Sequence, residues 1–417
     1  MKKFIVILAS ALTLGSAGAF AQDSKPEFKW YGFVRNYFTL DTRENVAGTE
    51  DFFTYLPKDS SIQSDGTDAN EVTTFRFAAL TSRLGLDVTG YEVAGWKVGA
   101  KLEGDFYAGL SGSTGTASFR LRQAYLTLAK NDVSFKIGQA WHPMAADMPD
   151  VFSLNTGAPF GPFSRTPEVV ADFGLGSGFT LTGAALWQMQ YTSAGPDGAS
   201  ANYIKYGCIP ELFLGLGYKN GNFLVKGGVD LLSISPSRYV YDGKVRKNRI
   251  TTLSPYLYAQ YKSGDFSIKA KTIFAQAGEH MNLNGGYGVT SFGTDGSTNY
   301  TPTRNSSSWV SLSYNVGSDV QLALFGGYVR NFGTRDSLIG KDYLYFSKNS
   351  FSNMNRMWRI TPSVLYNMGK VAFGLELEIT SVQYGSWDSA TVSKGLATKD
   401  LHWITNNRCQ LMVRYSF

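Results

Sequence analysis

The chain has 417 residues, of which 14% are aromatic, 17% are charged and 45 are glycine, and its formal net charge is +6. Disordered chains combine few aromatic residues with a high net charge, so this composition excludes a disordered protein. The two cysteines, Cys208 and Cys409, are too few for a disulfide scaffold or a four-thiolate zinc site.

Residues 1–21 have the pattern of a secretory signal peptide. Two lysines precede an apolar run from Phe4 to Leu14, and Ala19-Phe20-Ala21 forms an A-x-A cleavage motif. A helix needs about 20 apolar residues to span a membrane, so this shorter run does not predict an uncleaved anchor. We expect cleavage after Ala21 and a single domain over residues 22–417.

The rest of the chain alternates apolar and polar residues with a period of two. From Trp96 to Phe106, every even position is apolar or glycine, and most odd positions are charged. The segment from Val371 to Thr380 repeats this pattern. Such alternation predicts strands with one apolar and one polar face. After residue 21 no apolar run approaches the length of about 18 residues that a membrane helix needs, which excludes an α-helical membrane protein.

The alternating segments predict sixteen strands. Their approximate bounds are 28–41, 72–90, 94–108, 117–130, 132–140, 167–175, 178–191, 208–219, 222–234, 250–263, 265–278, 306–316, 319–332, 355–368, 370–385 and 402–417.

The connections between these strands alternate strictly between tight and long. Gly, Asn and Asp mark the tight turns, because two-residue hairpin turns need a positive φ. The tight turns are Asn131-Asp132, Gly174 to Gly178, Asn220-Gly221, Ser263-Gly264, Gly317-Ser318 and Met368-Gly369. The long connections cover residues 42–71, 109–116, 141–166, 192–207, 235–249, 279–305, 333–354 and 386–401.

This arrangement is typical of an all-β fold, the transmembrane antiparallel β-barrel, with short periplasmic turns and long extracellular loops. In lipid every backbone polar group must be paired, which leaves only helices or a closed sheet. A soluble β-sandwich or propeller would show the same alternation and is the alternative. Against it, the chain ends in the amphipathic segment Met412 to Phe417, whose terminal aromatic residue resembles the assembly signal of bacterial outer-membrane proteins.

Placing the apolar face of each strand against lipid predicts a charged inner face, because Lys or Arg on the lipid side costs roughly 2 to 4 kcal/mol at mid-membrane. The basic residues expected inside are Arg35, Arg83, Lys97, Lys101, Arg120, Arg122, Lys136, Lys226, Lys269, Lys271, Arg359, Arg408 and Arg414. The acidic residues are Asp41, Asp87, Glu103, Asp105, Asp230, Glu376 and Glu378. The basic excess favours anions in a water-filled lumen. In the alternative interpretation, these charges pair across strands and only hold the wall together.

The connection at 141–166 is the predicted constriction of the pore. Its prolines stiffen it, and its acids Asp147 and Asp150 are expected to face wall arginines and to set a transverse field across the opening. The alternative is an ordinary external loop, like the one expected at 279–305.

Several short motifs, taken in order, resemble those of a known family. They are Ser82-Arg83-Leu84-Gly85, Glu103-Gly104-Asp105-Phe106, Arg120-Leu121-Arg122-Gln123-Ala124-Tyr125, Gly138-Gln139-Ala140-Trp141 and Arg165-Thr166-Pro167. This succession is similar to that of the DcaP-like trimeric outer-membrane porins of Gram-negative bacteria. The resemblance implies a trimer that passes small solutes, often organic anions, with its third external loop folded into the pore. It also implies that Arg83, Arg120, Arg122 and Arg165 lie on or near the pore lining.

One feature of that family is not matched. Its members can carry a helical periplasmic extension before the first strand, whereas residues 22–27 alone separate the expected cleavage site from the first strand here. The resemblance therefore does not extend to a role of such an extension in trimerisation. Gln123, a polar residue on the predicted lipid face, hints at a contact between protein subunits.

Together these features predict a porin of the cell outer membrane, which passes small hydrophilic solutes by passive diffusion and prefers anions. The residues expected to line the pore or to contact solute are Arg35, Arg83, Lys101, Glu103, Asp105, Arg120, Arg122, Lys136, Arg165, Arg359 and Arg408. The expected partners are outer-membrane lipid, lipopolysaccharide, small polar or anionic solutes and further copies of the chain in a homotrimer. No nucleic acid, cofactor or metal is expected.

The sequence does not predict catalysis. His142, His280 and His402 have no metal-ligand spacing and are expected to be solvated or loop residues. No G-x-S-x-G motif of a hydrolase is present. The alternatives are a plugged transporter of fatty acids or other hydrophobic compounds, a barrel of about 14 strands, and an outer-membrane enzyme or adhesin on a barrel scaffold.

Overall fold

The computed structural model describes residues 25–109, 117–346, 353–387 and 394–417. The predicted signal peptide at 1–21 lies outside the described residues, as do parts of the loops predicted at 109–116, 333–354 and 386–401. Within the described ranges, no helix is long and apolar enough to cross a bilayer.

The described residues form twenty-one strands, one short α-helix and two 3-10 turns. The strands are β1 (Glu27–Asp41), β2 (Asn45–Gly48), β3 (Phe53–Pro57), β4 (Thr74–Ala78), β5 (Arg83–Val93), β6 (Trp96–Gly109), β7 (Ala117–Lys130), β8 (Val133–Trp141), β9 (Arg165–Gly176), β10 (Phe179–Leu186), β11 (Glu211–Asn220), β12 (Phe223–Tyr241), β13 (Lys244–Ser263), β14 (Phe266–Gln276), β15 (Gly286–Phe292), β16 (Thr298–Val316), β17 (Val320–Thr334), β18 (Leu344–Phe346), β19 (Met354–Met368), β20 (Val371–Ser386) and β21 (Lys399–Ser416). The helix is α1 (Asn202–Gly207), and the 3-10 turns span Gly278–Met281 and Lys341–Tyr343.

Sixteen of these strands close into one antiparallel barrel. They are β1, β5 to β14, β16, β17 and β19 to β21, each paired with its neighbours in chain order. The barrel closes at β1, which pairs with β5 from Glu27 to Phe33 and with β21 from Phe33 to Asp41. A closed sheet has no unpaired edge, as lipid requires. The predicted fold class, a transmembrane antiparallel β-barrel of sixteen strands, is confirmed.

The strand predicted at 72–90 is interrupted. Residues 79–82 separate β4 from β5, and Thr81 there has a positive φ of 64°. Apolar residues face outward at odd positions before the break, as at Phe75, and at even positions after it, as at Leu84. The sequence therefore shows the interruption as a change of the apolar positions from odd to even numbers.

Two connections predicted as loops contain further strand. The connection predicted at 235–249 is largely a continuation of β12 and β13 towards a turn at Asp242-Gly243. The connection predicted at 279–305 contains β15 and the start of β16. Neither segment has a regular apolar face. Strand that extends beyond lipid needs no such face, so the alternation does not mark it.

The predicted tight turns are confirmed at the other end of the barrel. The positive φ angles that they need are 53° at Asn131, 52° at Gly221, 54° at Gly264, 65° at Gly317 and 61° at Gly369. Glycine adopts such angles at no steric cost, and asparagine tolerates them.

Side chains on the barrel strands face alternately outward and inward. On the outer face, Leu102 is 55% exposed and Phe373 is 42% exposed. On the inner face, Glu376 is 0% exposed and Glu378 is 3% exposed. The outside of the barrel is therefore apolar and its inside is charged, as the alternation predicts.

Gln123 departs from the predicted parity. The pairing of β6 with β7 shifts register between Glu103 and Gly104, and this bulge turns Gln123 inward. The Gln123 Nε2 group donates to Glu103 Oε1 at 3.2 Å. The interpretation of Gln123 as a lipid-facing residue in a subunit contact is therefore wrong.

The apolar core lies inside the barrel. Residues 142–164, which we call the inner loop, contribute Met144 and Phe160 to a buried cluster with the wall residues Trp309 and Phe325. The rings of Phe160 and Phe325 meet edge to face, with centroids 5.9 Å apart. The inner loop thus packs against inward-facing side chains of the wall.

The cost of a charge on the outer face should depend on its depth. Leu324 lies on the outer face about midway between the tight turn at Gly317 and Arg330, and Leu324→Arg is expected to lower the free energy of unfolding by roughly 2 to 4 kcal/mol. Val316 lies on the same face beside the tight turn at Gly317, and Val316→Arg should cost about 0 to 1 kcal/mol. Urea unfolding in lipid vesicles measures both values. Equal losses would contradict the placement of these residues at different depths in lipid.

Candidate functional site

The inner loop connects β8 to β9 and is held by strands that are well separated around the barrel. On β1, the Tyr37 hydroxyl donates to Phe152 O at 2.6 Å, and on β14, Lys271 Nζ donates to Met144 O at 2.6 Å. The Phe152 N–H donates to Glu376 Oε2 on β20 at 3.0 Å. The loop therefore spans the interior between these walls.

The two acids of the inner loop pair with wall lysines. Asp147 Oδ2 lies 3.0 Å from Lys226 Nζ, and Asp150 Oδ1 lies 2.6 Å from Lys269 Nζ. The expectation that these acids face wall arginines is wrong. A lysine pairs with each carboxylate, so the two ion pairs anchor the loop. Lys271, which donates to Met144 O and Asp147 O, is a third lysine where the loop meets β12 and β14.

Arg359 and Arg408 lie on the inner face but are almost fully buried, since the exposed fraction of each side chain is 1%. Arg359 donates to Tyr55 O at 3.0 Å and to Ala158 O at 3.1 Å, and so joins the first extracellular loop to the inner loop. Arg408 donates to Asp51 O at 2.6 Å. Both guanidinium groups thus hold loop backbone in place.

A cavity of about 240 Å³ lies between the inner loop and the wall formed by β1, β5, β6 and β7. Phe163 and the segment 151–154 line the loop side, and Trp141, the last residue of β8, lies beside them. The wall contributes four of the arginines predicted to line a pore, which are Arg35, Arg83, Arg120 and Arg122. The fold thus brings together side chains from three separate predicted strands.

Two carboxylates balance part of this positive charge. Arg122 Nε lies 2.8 Å from Glu103 Oε1, and its Nη1 lies 2.8 Å from Asp105 Oδ2. Arg120 Nε lies 3.0 Å from Asp105 Oδ1. Arg83 Nη1 is 3.4 Å from Glu103 Oε2. Two acids are therefore shared among three guanidinium groups.

Arg35 and Arg165 have no carboxylate within 4 Å among the described residues. Arg35 Nη2 donates to the neutral hydroxyl of Thr81 at 2.5 Å. Arg165 is 2% exposed, and its guanidinium carbon lies 4.6 Å from the ring centroid of Trp141, which lines the cavity. Its Nη1 has no hydrogen-bond partner in the described parts of the chain. Four guanidinium groups thus line the cavity and two carboxylates pair with three of them, an excess of two positive charges, while Arg165 lies behind Trp141.

Other residues predicted to line the pore lie apart from this cavity. Lys101 Nζ is 2.6 Å from Asp87 Oδ1. Lys136 Nζ is 3.5 Å from Glu168 Oε1, and Lys136 lines a second cavity, of about 380 Å³, on the other side of Trp141. The predicted residues therefore do not form a single site.

A buried group of four titratable residues was not predicted. His142, His280, Glu211 and Asp230 are each at most 2% exposed. His142 Nε2 and His280 Nε2 lie 3.1 and 2.9 Å from Glu211 Oε1, and Asp230 Oδ1 lies 3.7 Å from His142 Nε2. Of the expectation that these histidines are solvated or loop residues, the loop position is correct for both, but neither is solvated. No local motif marks the group, because Glu211 is 69 positions from each histidine.

Hydrogen bonds at the second ring nitrogens fix the protons. His142 Nδ1 accepts the Met144 N–H at 3.1 Å, so this ring carries its proton on Nε2. His280 Nδ1 donates to Ala277 O at 3.0 Å, and its Nε2 faces a carboxylate, so both nitrogens of this ring are donors. Although His142, Glu211 and Asp230 place ligand atoms within 4.8 Å of one another, a protonated Nε2 offers no lone pair to a metal ion.

The neighbouring carboxylates explain why His280 is the cation of this group. Burial by itself lowers the pKa of His280, but the charge of Glu211 outweighs burial and raises that pKa to about 9. Burial also lowers the pKa of His142, but Asp230 and Glu211 raise it by more than burial lowers it, so the net shift of this pKa is upward. At His142, however, Nδ1 accepts the N–H of Met144, so this nitrogen does not carry a second proton. The charged His280 therefore links its own loop to the inner loop through Glu211.

Loss of the His280 charge should destabilise the protein at alkaline pH. The pKa of His280 rises from about 6.5 in an unfolded chain to about 9 in the folded one. A raised pKa contributes stability that is complete below the unfolded value and is lost as pH rises through the folded value. The melting temperature of the wild type should therefore fall more between pH 6.5 and 9.5 than that of His280→Gln.

Met281→Leu is the matched control, because Met281 is buried in the same turn as His280 and has no titratable group. Its pH dependence should follow the wild type. Equal losses of melting temperature in wild type and His280→Gln would contradict a charged His280.

Comparison with known proteins identifies the class of fold. Neither a protein-family model nor a curated protein matches the chain. Among solved structures, the chain is similar to the outer membrane channel DcaP of Acinetobacter baumannii, with 21% identity, a TM-score of 0.67 and coverage of 95% of this chain and 99% of that one.

Two further structures share this fold. An anion-selective porin from Comamonas acidovorans has 14% identity and a TM-score of 0.55, covering 94% of this chain and 100% of that one. The trimer form of OmpT, an outer membrane protein of Vibrio cholerae, has 14% identity and a TM-score of 0.53, covering 94% and 99%. The chain therefore has the fold of the outer-membrane porins, and the resemblance to the DcaP-like porins is confirmed at the level of the fold.

Proposed function

We propose that the protein is a porin of the Gram-negative outer membrane, through which small hydrophilic solutes diffuse passively. A closed barrel with an apolar outside and a charged inside supports this function, because only such a sheet both satisfies its backbone in lipid and surrounds water. The similar folds of a channel from Acinetobacter baumannii and a porin from Comamonas acidovorans support it further. We also propose that the chain is exported by its signal peptide and forms a homotrimer, as one form of OmpT does.

We propose that the channel prefers anions, and the observation that carries this proposal is the charge around the arginine-lined cavity. Four guanidinium groups line it, and two carboxylates pair with three of them. Arg35, which has no acidic partner in the described chain, offers a planar donor group suited to a carboxylate or phosphate. An anion-selective porin is among the proteins with a similar fold.

The inner loop is the proposed constriction. It is pinned to the wall on the side of β12 and β14 by Asp147 and Asp150, which are neutralised by lysines. On the side of β1 and β7, the arginines that line the cavity outnumber the carboxylates paired with them, so we place the anion contact there. We assign Arg35, Arg83, Arg120 and Arg122 to solute contact, and the buried Glu103 and Asp105 to holding these arginines. Arg165, which is 2% exposed, is assigned to supporting Trp141, and Lys101 and Lys136 to the wall outside this cavity. Arg359 and Arg408, which are buried against loop carbonyls, are assigned to loop anchoring.

Of the alternatives, a fatty-acid transporter of about 14 strands does not fit the sixteen strands of this barrel. We propose that the protein has no catalytic step. A planar-bilayer recording separates this proposal from an enzyme, an adhesin or a plugged barrel, because only an open channel gives a steady current for each protomer. Absence of any steady current would overturn the proposal.

Removing two cavity arginines should reduce the anion preference. Arg120→Ala/Arg122→Ala removes two positive charges that lie beside Glu103 and Asp105. Two unit charges about 7 Å from a permeating ion in water contribute about 1 kcal/mol, so the chloride-to-potassium permeability ratio should fall roughly fivefold. Reversal potentials in a salt gradient measure this ratio.

Arg335→Ala is the control for this experiment. The Arg335 side chain is 70% exposed and pairs with Asp336 on an extracellular loop, so its removal changes the total charge without changing the cavity. The ratio should stay at the wild-type value in this variant. An unchanged ratio in the double variant would leave Arg120 and Arg122 with a structural role alone.

Removing the acids of the inner loop should act in the opposite direction. Asp147→Asn/Asp150→Asn leaves Lys226 and Lys269 without partners and adds two positive charges to the interior. The chloride-to-potassium ratio should therefore rise. The open-channel current should also become noisier, because two anchors of the loop are lost. A fall in the ratio would contradict the placement of this loop beside the permeation path.

A further inference from the structure

The outer face of the barrel carries an apolar groove. It has a volume of about 540 Å³ and crosses β13, β14, β16, β17 and β19. Leu257, Val310 and Ile360 form its sides and are 51%, 43% and 46% exposed. Ala270 and Gly326 form its floor, where small side chains leave the surface concave. A side chain added at Gly326 would meet no atom within 4 Å.

Three arginines lie above this groove on the same outer face. Arg330 on β17 is directly opposite Arg356 on β19, and Arg304 lies on the adjacent β16, one outward position nearer the loops. All three are at the end of the barrel that carries the long loops. The next outward residues below them, Tyr328 and Trp358, already line the groove. The arginines are thus about 7 Å above its upper edge.

The charges of this arginine patch are not balanced by the protein. No carboxylate lies within 4 Å of any of the three guanidinium groups in the described part of the chain. Arg356 donates to the neutral Gln383 Oε1 at 2.8 Å, and Arg304 donates to Thr334 O at 3.2 Å. Arg330 is exposed and lies 5.4 Å from the ring centroid of Phe332. Arg304 and Arg356 are thus each positioned by a hydrogen bond to a neutral group, and the described residues neutralise none of the three charges.

We propose that this arginine patch and the groove together bind lipid A, the phosphorylated and multiply acylated glycolipid that anchors lipopolysaccharide in the outer leaflet. This inference rests on the proposed location of the barrel in the outer membrane, with its long loops at the cell surface. Paired guanidinium groups bind phosphate in two places at once, which a single lysine cannot do.

An acyl chain of the same molecule fills the groove. The arginine patch and the groove are continuous, with the patch nearer the long loops and the groove deeper in the membrane, as are the headgroup and the acyl chains of a lipid. The depth of the groove suits one chain, since the floor at Gly326 is open while Leu257 and Ile360 rise on either side. A second copy of this chain would have to place carboxylates against Arg330 and Arg356 and an apolar ridge in the groove. The ordering of charge above an apolar slot matches a phosphorylated lipid more directly.

The test is native mass spectrometry of the detergent-purified full-length protein, titrated with purified bisphosphorylated lipid A and with dephosphorylated lipid A. The wild type should bind the bisphosphorylated form about tenfold more tightly. Arg330→Gln/Arg356→Gln should remove that difference, and Gly326→Leu should weaken binding of both forms by filling the groove. Equal binding of both lipids by the wild type, or unchanged binding by both variants, would overturn the inference.

Gly183→Leu is the matched control, because Gly183 also lies on the outer face, on β10 across the barrel, and a side chain added there also meets no atom within 4 Å. It should bind lipid A as the wild type does. If Gly326→Leu instead converts a trimer to monomers, the groove is a subunit contact and the inference fails.

Conductance is recorded for every variant and should remain at the wild-type value, since the substitutions lie outside the lumen. Loss of current in all proteins, the wild type included, would overturn the proposed channel without affecting the lipid result. Normal current together with unchanged lipid binding would overturn only the lipid site.

Discussion

The need to pair every backbone polar group in lipid determines the rest of this structure. It is met by a closed ring of sixteen strands, and the closure makes the sheet two-sided. Leu375 faces outward and Glu376, the next residue, is buried inside. A ring of this size is too wide for its own side chains to fill. The inner loop occupies part of the remaining space, and its apolar residues, such as Phe160, supply a core that a water-filled barrel would otherwise lack.

The charged residues on the inner face of the barrel serve two purposes, and the burial of each side chain shows which purpose it serves. Arg359 is 1% exposed, lies 3.4 Å from Glu378 Oε1, and donates to loop carbonyls and Thr380, so it pairs with a wall carboxylate and fixes loop backbone. Such a residue is costly to lose, since its partners would be left buried without donors. Arg35 has a neutral hydroxyl as its partner and faces a cavity. The same residue type thus anchors loops where carbonyls converge and leaves a positive field where they do not.

The alternation of the sequence predicts those parts of the fold that touch lipid. The bounds of β7, Ala117–Lys130, are those predicted, because apolar residues alternate regularly before and after the bulge at Gln123. The alternation does not predict strands that lie beyond the lipid, such as β15, and it assigns Gln123 to the wrong face because a bulge turns this residue inward. The cavity arginines could be predicted as inward-facing residues, but the partners of Asp147 could not, because a loop has no periodic pattern. The group around His280 is invisible in the sequence for the same reason, since it forms only when two loops meet at Glu211.

Position along a strand, as well as face, decides what an arginine does in this barrel. On the outer face of β17, Leu322 and Leu324 lie near the middle of the lipid layer, where an arginine would cost roughly 2 to 4 kcal/mol. Arg330 follows on the same face at the long-loop end, where that cost falls towards zero because the guanidinium reaches polar headgroups. Its register partner, Arg356, ends the apolar face of β19 at the same height. The two arginines therefore mark the upper limit of the apolar band on this wall, and the groove below them lies within it.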